Sequence, residues 1–247
     1  MHLIIDIGNS RSKLVAFDGG QPVDERFEEG ASLNGIEDFA CQYDFDDAII
    51  SSVRDLDESL LLQLRQQPFP FLHFTPQTPV PIVNCYRTPS TLGTDRLAAA
   101  VGAWSQHKGS NLLIIDAGSC ITFDVVSARG EFLGGNISPG MHARLHAIDD
   151  YFPRLPLGGS QGDVPELGYD TETAIRAGVI EGMKHEIEGY IRHFRVKYPD
   201  LLVFLTGGDE FHFDETIKSS IFADPFIVPR GLEVILNYNR RQQTEQK

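Results

Sequence analysis

Two short stretches combine a carboxylate, a glycine and small polar residues at the end of an apolar run: Asp6-Ile7-Gly8-Asn9-Ser10 and Asp116-Ala117-Gly118-Ser119. An apolar strand that ends in Asp-x-Gly and turns straight into another strand presents several backbone N–H groups at its tip, the arrangement that receives anionic oxygens. Gly8 permits the turn and the close approach of a phosphate, while Asn9 and Ser10 add side-chain donors. Asp6 sits too close to such an anion for direct contact, so it makes sense there only with Mg²⁺ or its water in between. Lys13 offers one positive charge. In the second copy the Ser119 hydroxyl and backbone amides suit distal phosphates, and Asp116 suits a cation. A single tip of this kind is equally an ordinary hairpin with an Asx-type turn. Two copies allow two hairpins to face one another across a cleft and clamp one polyphosphate.

Three further stretches carry chemistry. Leu133 to Gly140 reads LGGNISPG: paired glycines at a strand end, then Pro139 and Gly140 opening a helix whose N-terminus can face an anion. Leu205 to Asp209 reads LTGGD, where two glycines before an expected helix let a flat adenine ring lie against backbone. Gly93-Thr94-Asp95-Arg96 has two readings. Asp95 caps the helix that follows, or it accepts a substrate hydroxyl proton beside an arginine that binds an acidic group. Spacing alone leaves both open. His142 and His146 stand i,i+4 with no third ligand nearby and are read as exposed histidines.

The elements that must position these groups follow from pattern. Residues 3–17 and 113–126 share the order strand, Asp-x-Gly, strand, and each is followed after a glycine turn by a third strand, Pro22 to Phe27 and Glu131 to Asn136. Two copies that far apart mean a duplicated unit rather than a solenoid. Asp47 to Ser52 is a buried-strand candidate and Leu56 to Gln66 a helix. Six prolines at 68, 70, 76, 79, 81 and 89 make an extended, irregular connection between halves. Thr94 to His107 is helical with Thr94 or Asp95 as N-cap. Thr171 to Val196 is the longest helical pattern, with Ile175, Val179, Met183, Ile187, Ile191 and Phe194 on one stripe. Strands alternating with helices predict an α/β chain with mixed sheets, and Arg240 to Lys247 a fraying polar tail.

At 247 residues and 41% apolar, the chain buries its cores without staples. Cys41, Cys85 and Cys120 are far apart and read as small apolar residues of a reducing compartment. The N-terminal MHLIIDIGNS lacks a basic leader, and no apolar run approaches the roughly 20 residues needed to span a bilayer; a cytoplasmic protein without membrane contact is expected. A net charge of −14 argues against nucleic-acid partners.

In this order and spacing DIGNSRSK, GTDR, DAGS, GGNISPG, GYDTETAI and TGG resemble the type III pantothenate kinase family, from Leu3 to about Asn237. The resemblance implies an acetate and sugar kinase/Hsp70/actin (actin-like ATPase) fold, with duplicated ribonuclease H-like halves over 1–90 and 91–240, a polar tail over 241–247, and the ATP cleft between two mixed sheets flanked by helices. It implies phosphorylation of pantothenate by ATP, the first step of coenzyme A synthesis, by a homodimer that needs Mg²⁺ and a monovalent cation, K⁺ or NH₄⁺. By motif, Asp6, Ile7, Gly8, Asn9, Ser10, Arg11, Ser12 and Lys13 match the first ATP-binding stretch and Ser119 a second ATP contact. Asp95 matches the general base and Gly93, Thr94, Asp95 and Arg96 the pantothenate loop. Tyr86 matches a substrate-contacting tyrosine, Asp116 the monovalent-cation ligand, and Thr171 a threonine that reaches across the dimer. Ser10, Ser119, Cys120, Thr94 and Asp170 depart from the residues commonest in the family; the hydroxyls of Ser10 and Ser119 survive. The rivals are a same-fold kinase of another small hydroxylated substrate and a nucleotide-binding regulator without turnover.

Overall fold

The structure is a computed structural model and describes residues 1–9, 11–29, 35–56, 58–155, 159–208 and 221–245. Its strands are β1 (His2–Ile7), β2 (Arg11–Asp18), β3 (Gln21–Glu29), β4 (Asp47–Ser52), β5 (Phe71–His73), β6 (Val83–Asn84), β7 (Leu112–Ala117), β8 (Cys120–Val126), β9 (Glu131–Pro139), β10 (Leu202–Gly207) and β11 (Ile221–Ala223). The helices are α1 (Ile36–Ala40), α2 (Glu58–Arg65), α3 (Thr94–Gln106), α4 (Met141–Tyr151), α5 (Thr171–Lys197) and α6 (Ile227–Glu245). The expected helix after LTGGD lies outside the described residues.

The first sheet runs β3-β2-β1-β4-β5 and the second β9-β8-β7-β10-β11, with β6 added beside β9. The two orders are the same, so the duplication read from the Asp-x-Gly motifs extends to the whole sheet. In the first sheet β1–β2 and β2–β3 pair antiparallel, while β1–β4 and β4–β5 pair parallel. Both sheets are mixed, because a tight hairpin joins antiparallel neighbours and a parallel neighbour needs a crossover.

Packing groups Met1–Gly109, Val126–Gly134 and Pro225–Lys247 as one compact unit and Ser110–Val125 with Gly135–Asp224 as a second. The division at residue 90 stays a proposal about which elements were duplicated. In the first unit, strand alternation decides two faces. Leu3, Ile5, Ile7, Ala48 and Ile50 point into a core completed by Ile36, Phe39 and Leu64. The alternate residues Ile4, Asp6, Ile49 and Ser51 therefore share the other face, toward which α3 and α6 pack. Those two helices cross at backbone distance: a Cβ on Gly102 would strike the Ile227 carbonyl, and one on Gly231 the Ala98 carbonyl. The tail expected to fray from Arg240 is helical through Glu245. Arg240 forks onto both oxygens of the nearly buried Asp47 at the start of β4.

In the second unit the stripe of α5 is core as its spacing predicts, with Met183, Ile187 and Ile191 fully buried. Burying each such side chain is worth roughly 1.5–3 kcal/mol, so the stripe holds α5 far more firmly than its surface ion pairs do. All three cysteines are free and exposed.

Candidate active site

The first tip is built on β1 and β2, whose register pairs Asp6 with Lys13 and Ile7 with Ser12. The Gly8 N–H closes the turn on the Arg11 carbonyl at 3.0 Å, and a Cβ on Gly8 would sit 3.0 Å from that same oxygen. Glycine is favoured there by close approach and not by handedness, since Gly8 has no positive φ. Asp6, Gly8 and Lys13 are half-buried and Asn9 and Arg11 exposed, whereas the side chains of Ile7 and Ser12 are fully buried. Ser10 falls outside the described residues. Lys13 is already engaged: its Nζ pairs with Glu25 at 2.9 Å, donates to the Pro225 carbonyl at 3.2 Å, and lies 4.2 Å over the Phe226 ring.

The second tip is held by other means. Gly118 N–H donates to the Cys120 carbonyl at 3.0 Å, and Gly140 N–H donates to the Ser119 carbonyl at 3.2 Å. Gly140 packs so closely on the Gly118 and Ser119 carbonyls that no Cβ fits. Gly207, at φ +106°, abuts the Ala117 backbone in the same way, and the β7–β10 register sets Thr206 beside Asp116. The LGGNISPG and TGG motifs thus converge on the DAGS turn, each contributing a glycine. Asp116 is half-buried; Ser119 and Cys120 are exposed.

A third cluster forms around α3. Gly93 is the N-cap, with no side-chain cap bond, which replaces the Thr94 or Asp95 cap expected from sequence. The Asp95 carboxylate instead folds back over Gly93 and accepts from the Arg96 N–H at 2.8 Å. Burial pushes the Asp95 carboxyl above its ordinary range, outweighing the pull of the Arg96 N–H, the Arg96 charge and its own N–H. The buried Arg96 guanidinium lies 5.7 Å over the Tyr86 ring. Tyr86 is seated by its N–H on Asn84 Oδ1 at 3.0 Å, by Phe132 at 6.1 Å between centroids, and by Gly134, whose φ of +116° and missing side chain leave the ring room. Tyr86, Gly93, Asp95 and Arg96 are therefore brought together within one unit.

Thr94 turns the other way. Its hydroxyl accepts from Ser51 Oγ at 2.9 Å and donates to the Ser52 carbonyl at 3.3 Å. Ser51 is a residue that sequence reading missed, because a serine inside an apolar strand carries no local signal. Asp170 was noted only as a departure. It accepts from the Thr173 N–H at 2.8 Å and forms a capping box for α5, and those Thr173 bonds hold its carboxyl below the ordinary range. Thr171 opens α5 and is exposed in the single chain. His142 and His146 are exposed on α4, as expected.

Sequence comparison addresses the same residues. The family model of the type III pantothenate kinases matches residues 2–193. A Bacteroides fragilis type III pantothenate kinase is 50% identical over 239 residues, covering 97% of this chain and 98% of its own. The chain belongs to the type III pantothenate kinase family.

Solved structures agree on the fold. A Campylobacter jejuni protein described as a Baf family transcriptional activator aligns at TM-score 0.61 and 24% identity, over 97% of this chain and 99% of its own. MreB5 of Spiroplasma citri, bound to ADP, aligns at TM-score 0.51 and 10% identity, over 98% of each chain. At such identities the likeness speaks for architecture alone: the duplicated actin-like, ribonuclease H-like fold.

Kinases of this kind use ATP with a divalent metal. Among the described residues no three His, Cys, Asp or Glu side chains cluster to cage an ion; Asp6 and Asp116 belong to separate tips. A lone carboxylate at a strand end is the donor set of a Mg²⁺ that keeps its waters and is carried on phosphates, so Asp6 fits that group. Asp116, with the Thr206 hydroxyl residue beside it in register, offers the hard oxygen donors that a monovalent cation takes. No helix among the described residues is long and apolar enough to cross a membrane.

Proposed function

We propose that this chain transfers the γ-phosphoryl group of ATP to the primary hydroxyl of pantothenate, the first step of coenzyme A synthesis, with Asp95 as general base. The observation that carries the assignment of the base is the Asp95 carboxyl, lifted by burial and set beside an arginine stacked on Tyr86. A carboxylate whose pKa is raised is the better proton acceptor. Arg96 receives the pantothenate carboxylate, and its stacking on Tyr86 keeps the guanidinium plane presented. Tyr86 and Gly93 line the same pocket, with the Thr94 hydroxyl turned away onto Ser51 and Ser52, and Thr171 of a second copy completes it, which makes the working unit a homodimer.

The phosphates of ATP are bound by the Asp6–Lys13 stretch and by Ser119. Backbone N–H groups carry most of this binding, since the charge of Lys13 is shared with Glu25 and the side chains of Ile7 and Ser12 are buried. Asp6 would hold Mg²⁺ carried in with ATP, which would supply charge neutralisation for the phosphates, and Asp116 would hold K⁺ or NH₄⁺. Phosphoryl transfer passes through a loose transition state, so fixed donors and a positioned base are what the protein must provide. The exposed, unpaired cysteines and the substrates fit the cytoplasm.

The test is phosphorylation of pantothenate by purified protein and ATP, with and without K⁺, against a panel of sugars and short hydroxy acids. Turnover restricted to pantothenate and stimulated by K⁺ is expected. Preference for another acceptor would move the protein to a same-fold kinase, and ATP binding with no turnover on any acceptor would make it a regulator.

A further inference from the structure

A buried hydroxyl pair ties β4, the strand beside the one that carries Asp6, to the helix that carries Asp95. Ser51 is paired with Asp6 in the β1–β4 register and is 0% exposed. Its Oγ donates to Thr94 Oγ1 at 2.9 Å, and Thr94 passes its own proton to the Ser52 carbonyl at 3.3 Å. The chain of bonds is complete: each hydroxyl has one direction to donate in, and a buried hydroxyl left without a partner is costly. At the start of α3, Gly93 has no side chain and the Asp95 carboxylate is turned back on the Arg96 N–H, so the Thr94 hydroxyl is the side chain of this turn that ties it to β4. The packing of α3 on α6 fixes the body of the helix, and the Thr94 anchor holds its first turn against β4. Asp95 is the next residue, one helical step of about 100° away, so fixing Thr94 fixes the direction in which the Asp95 carboxylate leaves the helix.

We propose that Ser51, acting through Thr94, is a positioning residue for phosphoryl transfer, which sets the Asp95 carboxylate in line with the acceptor hydroxyl. This rests on the reading of Asp95 as base. Reactions between held groups are steep in geometry: a displacement of about 1 Å costs roughly 10²-fold. A hydroxyl pair that touches no substrate can therefore govern the rate. Ser51→Ala leaves Thr94 its bond to the Ser52 carbonyl, whereas Thr94→Val takes the acceptor from the buried Ser51 hydroxyl and is the more costly for the fold, which the Tm reads.

The experiment measures kcat and KM for both substrates in Ser51→Ala, Thr94→Val, the double variant and Thr94→Ser, alone and in an Asp95→Asn background, with Tm alongside. Ser51→Ala and Thr94→Val should each lower kcat by about 10-fold or more, with the KM for ATP within about twofold. Their double variant should be no slower than the worse single one, because both break one chain of bonds. Thr94→Ser should recover most of the rate lost in Thr94→Val. In the Asp95→Asn background Ser51→Ala should cost nothing further. A loss that persists at full size in that background, or that adds in the double variant, overturns the proposal, as does Ser51→Ala at the parent rate while Asp95→Asn is impaired. If Asp95→Asn itself turns over normally, the failure lies instead with the reading of Asp95 as base.

Discussion

The two Asp-x-Gly tips stand on sheets of the same strand order, yet the interactions that hold them are of different kinds. Both turns are closed by a glycine N–H on a main-chain carbonyl, but around the first tip side chains add to it: Lys13 on Glu25 and Pro225, and in the neighbouring strand Ser51 on Thr94. Around the second, main chain packs on main chain, with Gly140 and Gly207 pressed against the carbonyls and backbone of residues 117–119. A tip braced by side chains can be retuned one residue at a time, and in this chain it shares its unit with Asp95 and Arg96. A tip clasped by glycine backbone is rigid and intolerant, which suits a fixed cradle of N–H groups whose value lies in being set before reaction.

Several measurements would break or sharpen this contrast. The largest effect is expected at the side-chain end: Asp95→Asn should lower kcat by about 10² or more and leave ATP affinity nearly intact. Turnover close to the parent rate would remove Asp95 from the chemistry. The same group sets a pH signature. Because only the ionised carboxylate accepts a proton and burial raises its pKa, kcat/KM should fall on the acid side at a pH above the ordinary aspartate value of about 3.9. The Arg96 charge opposes that rise, so Arg96→Gln should move the limb to still higher pH; an unmoved or lowered limb would mean that another group titrates.

At the main-chain end, Gly140→Ala has to displace carbonyls that cannot swing away, and should cost about 1–3 kcal/mol, seen as a fall in Tm and a raised KM for ATP. Gly8→Ala, whose Cβ meets one carbonyl at 3.0 Å, should be the milder of the two. Equal penalties would erase the distinction between the tips. Asp116→Ala should abolish stimulation by K⁺ with little change in Tm, measured by titrating KCl against a constant-ionic-strength sodium background. A variant that still responds to K⁺ places the cation elsewhere.

The smallest effect belongs to a cap. Asp170→Ala removes the acceptor for the Thr173 N–H and should lower Tm modestly at neutral pH. The folded carboxyl titrates below its ordinary value, so the stabilisation is present above the unfolded pKa of about 3.9 and disappears as pH falls through the lower folded value. The difference in Tm between parent and variant should therefore shrink in acid. A difference that holds constant to low pH would mean that the ionised Asp170 is not what stabilises the start of α5.

How much of this was legible beforehand depended on the range of the interaction. The paired LIID-x-Gly runs, the α5 stripe and the strand candidates are written in local pattern, since a buried strand or helix face repeats every two or about 3.6 residues whatever surrounds it. The motifs also carried the family, because close approach to phosphate restricts residue type at each position. What no local rule exposes is contact between residues far apart in the chain. That Thr94 is spent on Ser51 and not on capping α3, that Lys13 is shared with Glu25 and Pro225, and that Gly140 and Gly207 both lean on one turn are decided only when the elements pack. The sequence by itself determined which residues are able to hold phosphate and take a proton, since those abilities belong to side chains and turn chemistry. Which of them are left to do so, and at what pKa, was decided by the tertiary structure, because burial and competing partners are properties of neighbours that the chain brings together only on folding.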